Sequence, residues 1–170
     1  MPGSFPNALA HVAGARKSER GRGRRSRRHL SVWYPAVMAC VFCEIVAGRI
    51  PGLPVWENRD FLLMLDIKPI ASGHLLLLPK KHAEDFFLLP ERDYLRLLRT
   101  ARKVAPVLRR LTRARRVGLV VEGFGVPHVH VHLVPVNKAG ELNPTRARAA
   151  SPARLRALQR SLAPRFRRLR

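Results

Sequence analysis

The feature that most constrains the fold is the run His128-Val129-His130-Val131-His132-Leu133-Val134-Pro135, in which three histidines alternate with branched apolar residues. A repeat of two residues is typical of a β-strand, because successive side chains point to opposite faces of a sheet. The run predicts a strand with all three imidazoles on one face and Val129, Val131 and Leu133 in the core behind them. Polar rings on so apolar a strand are costly without partners. We therefore interpret the three histidines as a functional site.

Charge is concentrated at the two ends of the chain. The 170 residues include 33 Lys and Arg against 11 Asp and Glu, a formal net charge of +22. Residues 1–37 hold eight basic residues against one acid, and residues 144–170 hold nine arginines and no acid. With 46% apolar residues the chain can bury a core, which excludes global disorder. We predict a disordered basic extension over 1–37, one folded domain over 38–143 and an Arg-rich helix or tail over 144–170.

The N-terminal extension leaves two interpretations open. It is either a nucleic-acid-binding arm or a stretch without a role that precedes a true start at Met38, and we favour the second because basic composition alone is weak evidence. The run Arg24–Arg28 suggests an export signal, but Pro35 interrupts the apolar stretch behind it and Glu44 ends it. The sequence contains no run of about 18 uncharged apolar residues, the pattern that would predict a membrane span. The expected compartment is the cytoplasm.

The remaining pattern predicts an α+β fold with an antiparallel sheet. Besides the histidine strand, short strands are expected at 55–58, 61–65, 74–79 and 118–121. Helices are expected at 44–48, from about 90 to 115, and from Ser151-Pro152 onwards, where serine is a good cap and proline suits the first turn. Pro106 should kink the long helix or end it early. The strands and helices do not alternate regularly, which argues against a βαβ architecture.

Three stretches resemble, in order along the chain, the histidine triad (HIT) family of nucleotide-binding proteins and hydrolases. The run 128–135 is similar to the family signature His-φ-His-φ-His-φ-φ, where φ is apolar; 40–51 is similar to its opening helix and 65–82 to its middle block. The resemblance covers about 40–136 and points to the zinc-binding bacterial branch. It implies a five-stranded antiparallel sheet with one long and one short helix, here followed by a C-terminal helix. Such domains commonly pair as a homodimer with one continuous sheet.

The resemblance implies a covalent mechanism without an organic cofactor. His130 would attack the α-phosphorus of a purine nucleotide conjugate and form a nucleotidyl-imidazole, which water hydrolyses. The ring must be neutral, as an ordinary histidine mostly is at cytoplasmic pH. His132 and His74 would hold phosphate oxygens and Asp66 the ribose hydroxyls. The other implied nucleotide contacts are an apolar base pocket of Phe42, Ile45, Ile50, Met64 and Leu76, and backbone N–H groups around Gly123 and Gly125.

Cys40 and Cys43 suggest a second site. A Cys-x-x-Cys pair taken alone is ambiguous between a redox couple, a metal site and chance. One branch of the resembled family binds a structural zinc through this pair, the histidine after Pro-Lys-x and the first triad histidine. Those positions are Cys40, Cys43, His82 and His128, a donor set that suits a closed tetrahedral zinc site.

One departure from the family leaves alternatives open. The loop Glu122–Pro127 lacks the Asn, Gln and Ser or Thr that members with high hydrolase activity usually carry before the triad. Our first hypothesis is hydrolysis of a phosphoramidate, a dinucleoside polyphosphate or an acyl adenylate. The alternatives are a nucleotidyl transferase or phosphorylase of the same chemistry, or a nucleotide- or nucleic-acid-binding module with weak activity and Arg-rich tails that hold phosphate.

Overall fold

A computed structural model describes residues 40–169. The predicted basic extension over 1–37 and the candidate start at Met38 lie outside the described residues. Within them, the chain forms three helices, one 3₁₀ turn and five strands: α1 Val41–Val46, β1 Pro54–Glu57, β2 Phe61–Leu65, β3 Leu75–Pro79, α2 Glu91–Thr112, β4 Arg116–Val121, β5 Val131–Val136, the 3₁₀ turn Pro144–Arg146, and α3 Pro152–Phe166. The α+β prediction is confirmed.

The five strands form one antiparallel sheet in the order β1-β2-β3-β5-β4. Its two faces follow from the alternation in β2 and β3. Leu63 and Leu77 belong to the large core that includes α2 and α3, whereas Met64 and Leu76 belong to a smaller cluster with Phe42 of α1. The continuous apolar run 74–79 predicts a central strand covered on both faces, and β3 is indeed buried along its whole length in the middle of the sheet.

The long helix α2 passes through Pro106, so the prediction that this proline ends the helix early is wrong. Proline in a helix interior removes one hydrogen bond and costs about 3 kcal/mol. Pro106 lies on the exposed side of α2, where water can solvate the carbonyl that loses its partner. Val104 and Leu108, both fully buried, anchor the helix on either side of it. Packing of the apolar face therefore outweighs the local cost.

The strand β5 begins at Val131, three residues later than the histidine pattern predicts. Its ladder with β3 ends at the pair Leu77 and Val131. The next residue of β3 whose backbone points towards β5 is Pro79, which has no N–H to donate. His128 and His130 therefore precede the strand. The apolar half of the prediction is confirmed, since Val129, Val131 and Leu133 are at most 2% exposed and join the main core.

The C-terminal helix α3 packs against the main core. Ser151 caps it by accepting a hydrogen bond from the backbone N–H of Arg154, as predicted. Leu155 and Leu162 are buried and Phe166 is fully buried in the core. The amide of Gln159 donates to the carbonyl oxygen of Pro54 at 2.8 Å, which ties the helix to β1. In the part of the chain that the structure describes, no helix is long and apolar enough to cross a membrane.

Candidate active site and metal centre

The ring of His130 is held in a single tautomer. Its Nδ1 lies 2.6 Å from the backbone carbonyl oxygen of His128, so Nδ1 carries the hydrogen and donates it. The lone pair of this ring is therefore at Nε2. The side chain is 7% exposed, and the edge of Phe42 packs against it with ring centroids 5.0 Å apart. The predicted nucleophile thus has a fixed orientation and an available nitrogen.

His74 and His132 form a hydrogen-bonded pair beside His130. The backbone N–H of Ile70 donates to Nδ1 of His74 at 3.1 Å, which requires the hydrogen of that ring to be on Nε2. His74 Nε2 lies 2.9 Å from His132 Nδ1 and donates to it. His132 in turn carries its hydrogen on Nε2, which leaves an outward N–H donor. Asp66, just after β2, has Oδ2 3.4 Å from His74 Nδ1, where its negative charge favours the protonated form of that ring.

Burial keeps the rings of this pair neutral. It lowers the pKa of His132 to about 4, with the nearby His130 and His74 adding to the effect. Burial also lowers the pKa of His74, and the carboxylate of Asp66 opposes this change. Near neutral pH both rings are therefore uncharged. The one N–H of His74 is donated to His132, so only His132 has an N–H left for a phosphate oxygen, and the contact of His74 with phosphate that the sequence analysis predicts is replaced here by a contact with His132.

Cys40, Cys43, His82 and His128 meet in one cluster, with their ligand atoms all within 4.8 Å of one another. His128 Nδ1 lies 3.3 Å from Cys40 Sγ and 3.6 Å from Cys43 Sγ, and His82 Nδ1 lies 3.3 Å from Cys43 Sγ. A tetrahedral zinc with ordinary Zn–S and Zn–N bonds separates sulfur from nitrogen by about 3.6 Å. The cluster therefore has the donor chemistry and the spacing of a Cys₂His₂ zinc site.

The surroundings of His128 also suit a metal ligand. The ring is fully buried, and its Nε2 donates to the backbone carbonyl oxygen of Pro79 at 2.8 Å. This bond places the lone pair on Nδ1, the atom that faces the two sulfurs. Burial lowers the pKa of His128, which favours the neutral ring that binds a metal. His82 has a looser partner, with its Nε2 3.5 Å from Glu84 Oε1.

The residues implied in nucleotide binding are brought together only in part. Phe42, Met64 and Leu76 are buried in the smaller cluster, and Ile45 packs against it. Ile50 is 36% exposed and is not part of that cluster. Asp66 lines a cavity of about 90 Å³, which we call the Asp66 cavity. Its lining residues are Asp66, Lys68, Ile70, His74, Val120, Glu122, His132, Pro144 and Ala147.

A larger cavity, of about 330 Å³, adjoins His130 and was missed by the sequence analysis. We call it the Phe124 cavity; its lining residues are Glu84, Asp85, Phe86, Phe87, Val121, Glu122, Gly123, Phe124, Val129 and His130. Gly123 lines it with φ +91°, a conformation that favours glycine, whereas Gly125 is not among its lining residues. A signal was present in the sequence, since Glu122 and Phe124 stand where the resembled family carries polar donors.

Comparison with known proteins identifies the fold and the family. The family model of the HIT domain matches residues 47–139, more than half of the chain. An uncharacterized HIT-like protein of Methanocaldococcus jannaschii is 37% identical over 101 residues, which cover 56% of this chain and 78% of that protein. An adenosine 5'-monophosphoramidase of Schizosaccharomyces pombe is 34% identical over 100 residues, which cover 58% of this chain and 74% of the relative.

A solved structure supports the same assignment. It is a zinc-bound histidine triad family protein of Mycobacterium smegmatis, which superposes with a TM-score of 0.64 at 28% identity and covers 76% of this chain and 94% of the neighbour. Together with the family model, and with three triad histidines at the end of a five-stranded antiparallel sheet, these likenesses lead to one conclusion. The chain belongs to the HIT domain family.

Proposed function

We propose that the protein is a hydrolase that cleaves nucleoside 5'-phosphate conjugates through a covalent nucleotidyl intermediate on His130. The observation that carries this proposal is the 2.6 Å contact between His130 Nδ1 and the carbonyl oxygen of His128. With its hydrogen held on Nδ1, the neutral ring would have its lone pair on Nε2, and His130 lines an adjoining cavity. The monophosphoramidase activity named for the S. pombe relative is of this class.

The neighbouring groups support the same assignment. His132 would donate its Nε2 hydrogen to a phosphate oxygen, and His74 would hold His132 in the tautomer that allows this. Asp66, which is partly exposed at the end of β2, would accept the ribose hydroxyls. The apolar cluster of Phe42, Ile45, Met64 and Leu76 would bind the base, with Ile50 near the surface. Gly123 and Gly125 remain proposals for backbone contacts to phosphate.

The reaction balances with one water. His130 Nε2 forms a bond to the α-phosphorus while the bond from phosphorus to the leaving group breaks, and the leaving group takes a proton from water. Water oxygen then attacks the phosphorus, and the bond to Nε2 breaks with its electron pair returning to the ring. The products are the nucleoside monophosphate and the protonated leaving group. The short-lived positive charge on the ring is placed beside the His128 carbonyl, which accepts the Nδ1 hydrogen throughout.

A metal ion in the cluster would hold the surrounding residues in position and would take no part in the reaction at phosphorus. Cys40, Cys43, His82 and His128 fit a zinc ion, and a bound zinc would supply four fixed bonds that link α1 to the segment before β5. His128 then contributes to both sites, since its ring faces the sulfurs and its carbonyl oxygen orients His130. We propose one structural zinc per chain, and the M. smegmatis neighbour is a zinc-bound protein of the same family.

Four further predictions stay proposals. A homodimer could form through β4, because it is an edge strand with Leu119 45% exposed, whereas the other edge strand, β1, is contacted by α3. Transfer of the nucleotide to phosphate or to a sugar phosphate would use the same intermediate. Binding of nucleic acid would depend on the Arg-rich ends, and a cytoplasmic location is expected for such a nucleotide enzyme.

The direct test compares the wild type with His130→Ala on adenosine 5'-phosphoramidate. Loss of the nucleophile should lower kcat/KM at least about 10³-fold, measured by release of AMP. The matched control is His29→Ala, a histidine to which no role is assigned, and it should retain full activity. Reaction in ¹⁸O-labelled water should place the label in AMP. Equal turnover by wild type and His130→Ala would contradict the proposal.

A further inference from the structure

The Phe124 cavity has a charge opposite to that of the protein. The chain has 33 Lys and Arg against 11 Asp and Glu, yet three of those acids, Glu84, Asp85 and Glu122, line this one cavity. None of its lining residues is Lys or Arg. The local field is therefore negative on a molecule whose net charge is +22, so an anionic group is repelled here while a cation is attracted.

His130 of the active site is one of the residues that line the same cavity. The side chain of His130 is only 7% exposed. Its Nδ1 is hydrogen-bonded, whereas Nε2 has no hydrogen-bond partner among the described residues. Glu122 lines both this cavity and the Asp66 cavity, so the two adjoin at the triad. If the nucleoside lies on the Asp66 side, as the proposed function requires, the group that leaves phosphorus extends into the Phe124 cavity.

Two aromatic side chains at this cavity are unusually exposed. Phe124 is 92% exposed and Phe87 is 82% exposed, and both line the cavity. Leu88, next in sequence to Phe87, is 81% exposed. Neighbouring exposed apolar groups of this kind mark surfaces that bind a ligand or partner. Aromatic faces also attract organic cations, so the aromatic and acidic side chains favour the same class of ligand.

We infer that the Phe124 cavity is the leaving-group subsite and that it selects an amine whose body is apolar and whose far end carries a positive charge. This inference rests on the proposed function and narrows it. A polyphosphate leaving group, which is strongly anionic, would meet Glu84, Asp85 and Glu122 with no basic side chain among the lining residues to neutralise it. The depleted loop Glu122–Pro127 is then a specificity element, in which a carboxylate and an aromatic ring replace neutral donors.

The test uses three adenosine 5'-phosphoramidates that differ only at the far end of the leaving amine. Their amines are 1,6-diaminohexane, hexylamine and 6-aminohexanoate, which end in an ammonium, a methyl and a carboxylate. We expect kcat/KM to fall in that order, with roughly tenfold between the first and the last, from several partly exposed charge pairs. Added salt should reduce the ratio.

The double variant Glu122→Gln/Asp85→Asn should bring that ratio close to one, because it removes two of the three carboxylates that line the cavity. Asparagine at 85 retains the oxygen that accepts the backbone N–H of Phe87. The matched control is Glu91→Gln on α2, an acid outside the cavity, which should keep the wild-type ratio. Phe124→Ala should lower kcat/KM for the ammonium and methyl substrates.

The outcomes separate this inference from the proposed function. If wild type hydrolyses adenosine 5'-phosphoramidate but none of the three substrates, the cationic subsite is refuted and the proposed function stands; if it hydrolyses none of the four, both fail. If it hydrolyses all three with equal kcat/KM, or if the double variant keeps the wild-type ratio, the enzyme assignment stands and the cationic subsite is refuted.

Discussion

Replacement of His132 by asparagine should make the free energy of unfolding less dependent on pH between 7 and 5. In the folded protein the pKa of His132 is lowered from 6.5 to about 4, first by burial and then by the neighbouring His130 and His74. In the unfolded chain the ring titrates near its ordinary value, about 6.5. Between these two values the unfolded chain binds a proton that the folded protein does not. Stability from this residue is therefore present above pH 6.5 and is lost as the pH falls towards 4.

The magnitude follows from the two pKa values. Over the interval from pH 7 to pH 5, a change from 6.5 to 4 amounts to about 1.8 kcal/mol of lost stability. His132 is only partly buried, so water screens some of this effect and we expect about 1 kcal/mol. His74 should change little on its own, since its lowered pKa is caused by burial and by His130, with Asp66 opposing.

The assay is urea unfolding of wild type and His132→Asn at pH 7 and at pH 5, at equal zinc content. Both proteins keep the four metal-ligand residues, so the pH dependence of metal binding cancels in the difference between them. The wild type should lose about 1 kcal/mol more than the variant on going to pH 5. An equal loss in both proteins would show that His132 is not held neutral by its surroundings, and would refute the reasoning about the triad.

Three other changes test separate parts of the structure. Cys43→Ser should lower zinc content from one per chain to a small fraction by metal analysis, whereas Glu44→Gln beside it should retain the metal; zinc retained in Cys43→Ser would refute the Cys₂His₂ site. Gly73→Ala should destabilise the protein by about 1–3 kcal/mol more than Gly48→Ala in urea unfolding. Both glycines have a positive φ, but only at position 73 would an added Cβ lie 2.7 Å from Thr112 Cγ2. Equal losses in the two variants would exclude that clash. Phe166→Ala should lower the free energy of unfolding by about 3–5 kcal/mol, since the ring is fully buried, while Arg167→Ala should change it by less than about 0.5 kcal/mol; a small loss in Phe166→Ala would show that α3 does not contribute to the core.

Much of the fold could be predicted because its determinants are local. The unbroken apolar run of β3 predicts a central strand. Apolar residues that recur every three or four positions from Tyr94 to Leu111 predict an amphipathic helix, and the structure buries Leu97, Ala101, Val104 and Leu108 of it. The limits of elements were less predictable, since they depend on partners. β5 starts late because Pro79 of the neighbouring strand cannot donate, and α2 continues past Pro106 because packing on both sides holds it.

The metal-ligand and triad residues of the candidate site could be predicted from the sequence, whereas the Phe124 cavity could not. The four possible metal ligands and the histidines at 74, 130 and 132 could be named because the chain resembles the HIT family at those positions, and the structure brings each group together. The Phe124 cavity could not be predicted, because Glu84 and Phe87 lie far along the chain from Glu122 and Phe124 in segments without a periodic pattern. Their meeting depends on the tertiary path after β3, including the bond from Val129 N–H to the Ala83 carbonyl oxygen.

The late start of β5 explains how alternate histidines can serve two sites. Inside an antiparallel ladder, each backbone carbonyl that faces its partner strand is occupied by that strand. Because residues 128–130 lie outside the ladder, the carbonyl oxygen of His128 accepts the Nδ1 hydrogen of His130 two residues on. The ring of His128 meanwhile donates to the carbonyl oxygen of Pro79, the residue at which the ladder ends, and turns its Nδ1 to the sulfurs. Pro79 therefore ends the ladder between β3 and β5 and, through its carbonyl oxygen, orients a metal ligand, whose own carbonyl oxygen fixes the tautomer of the predicted nucleophile.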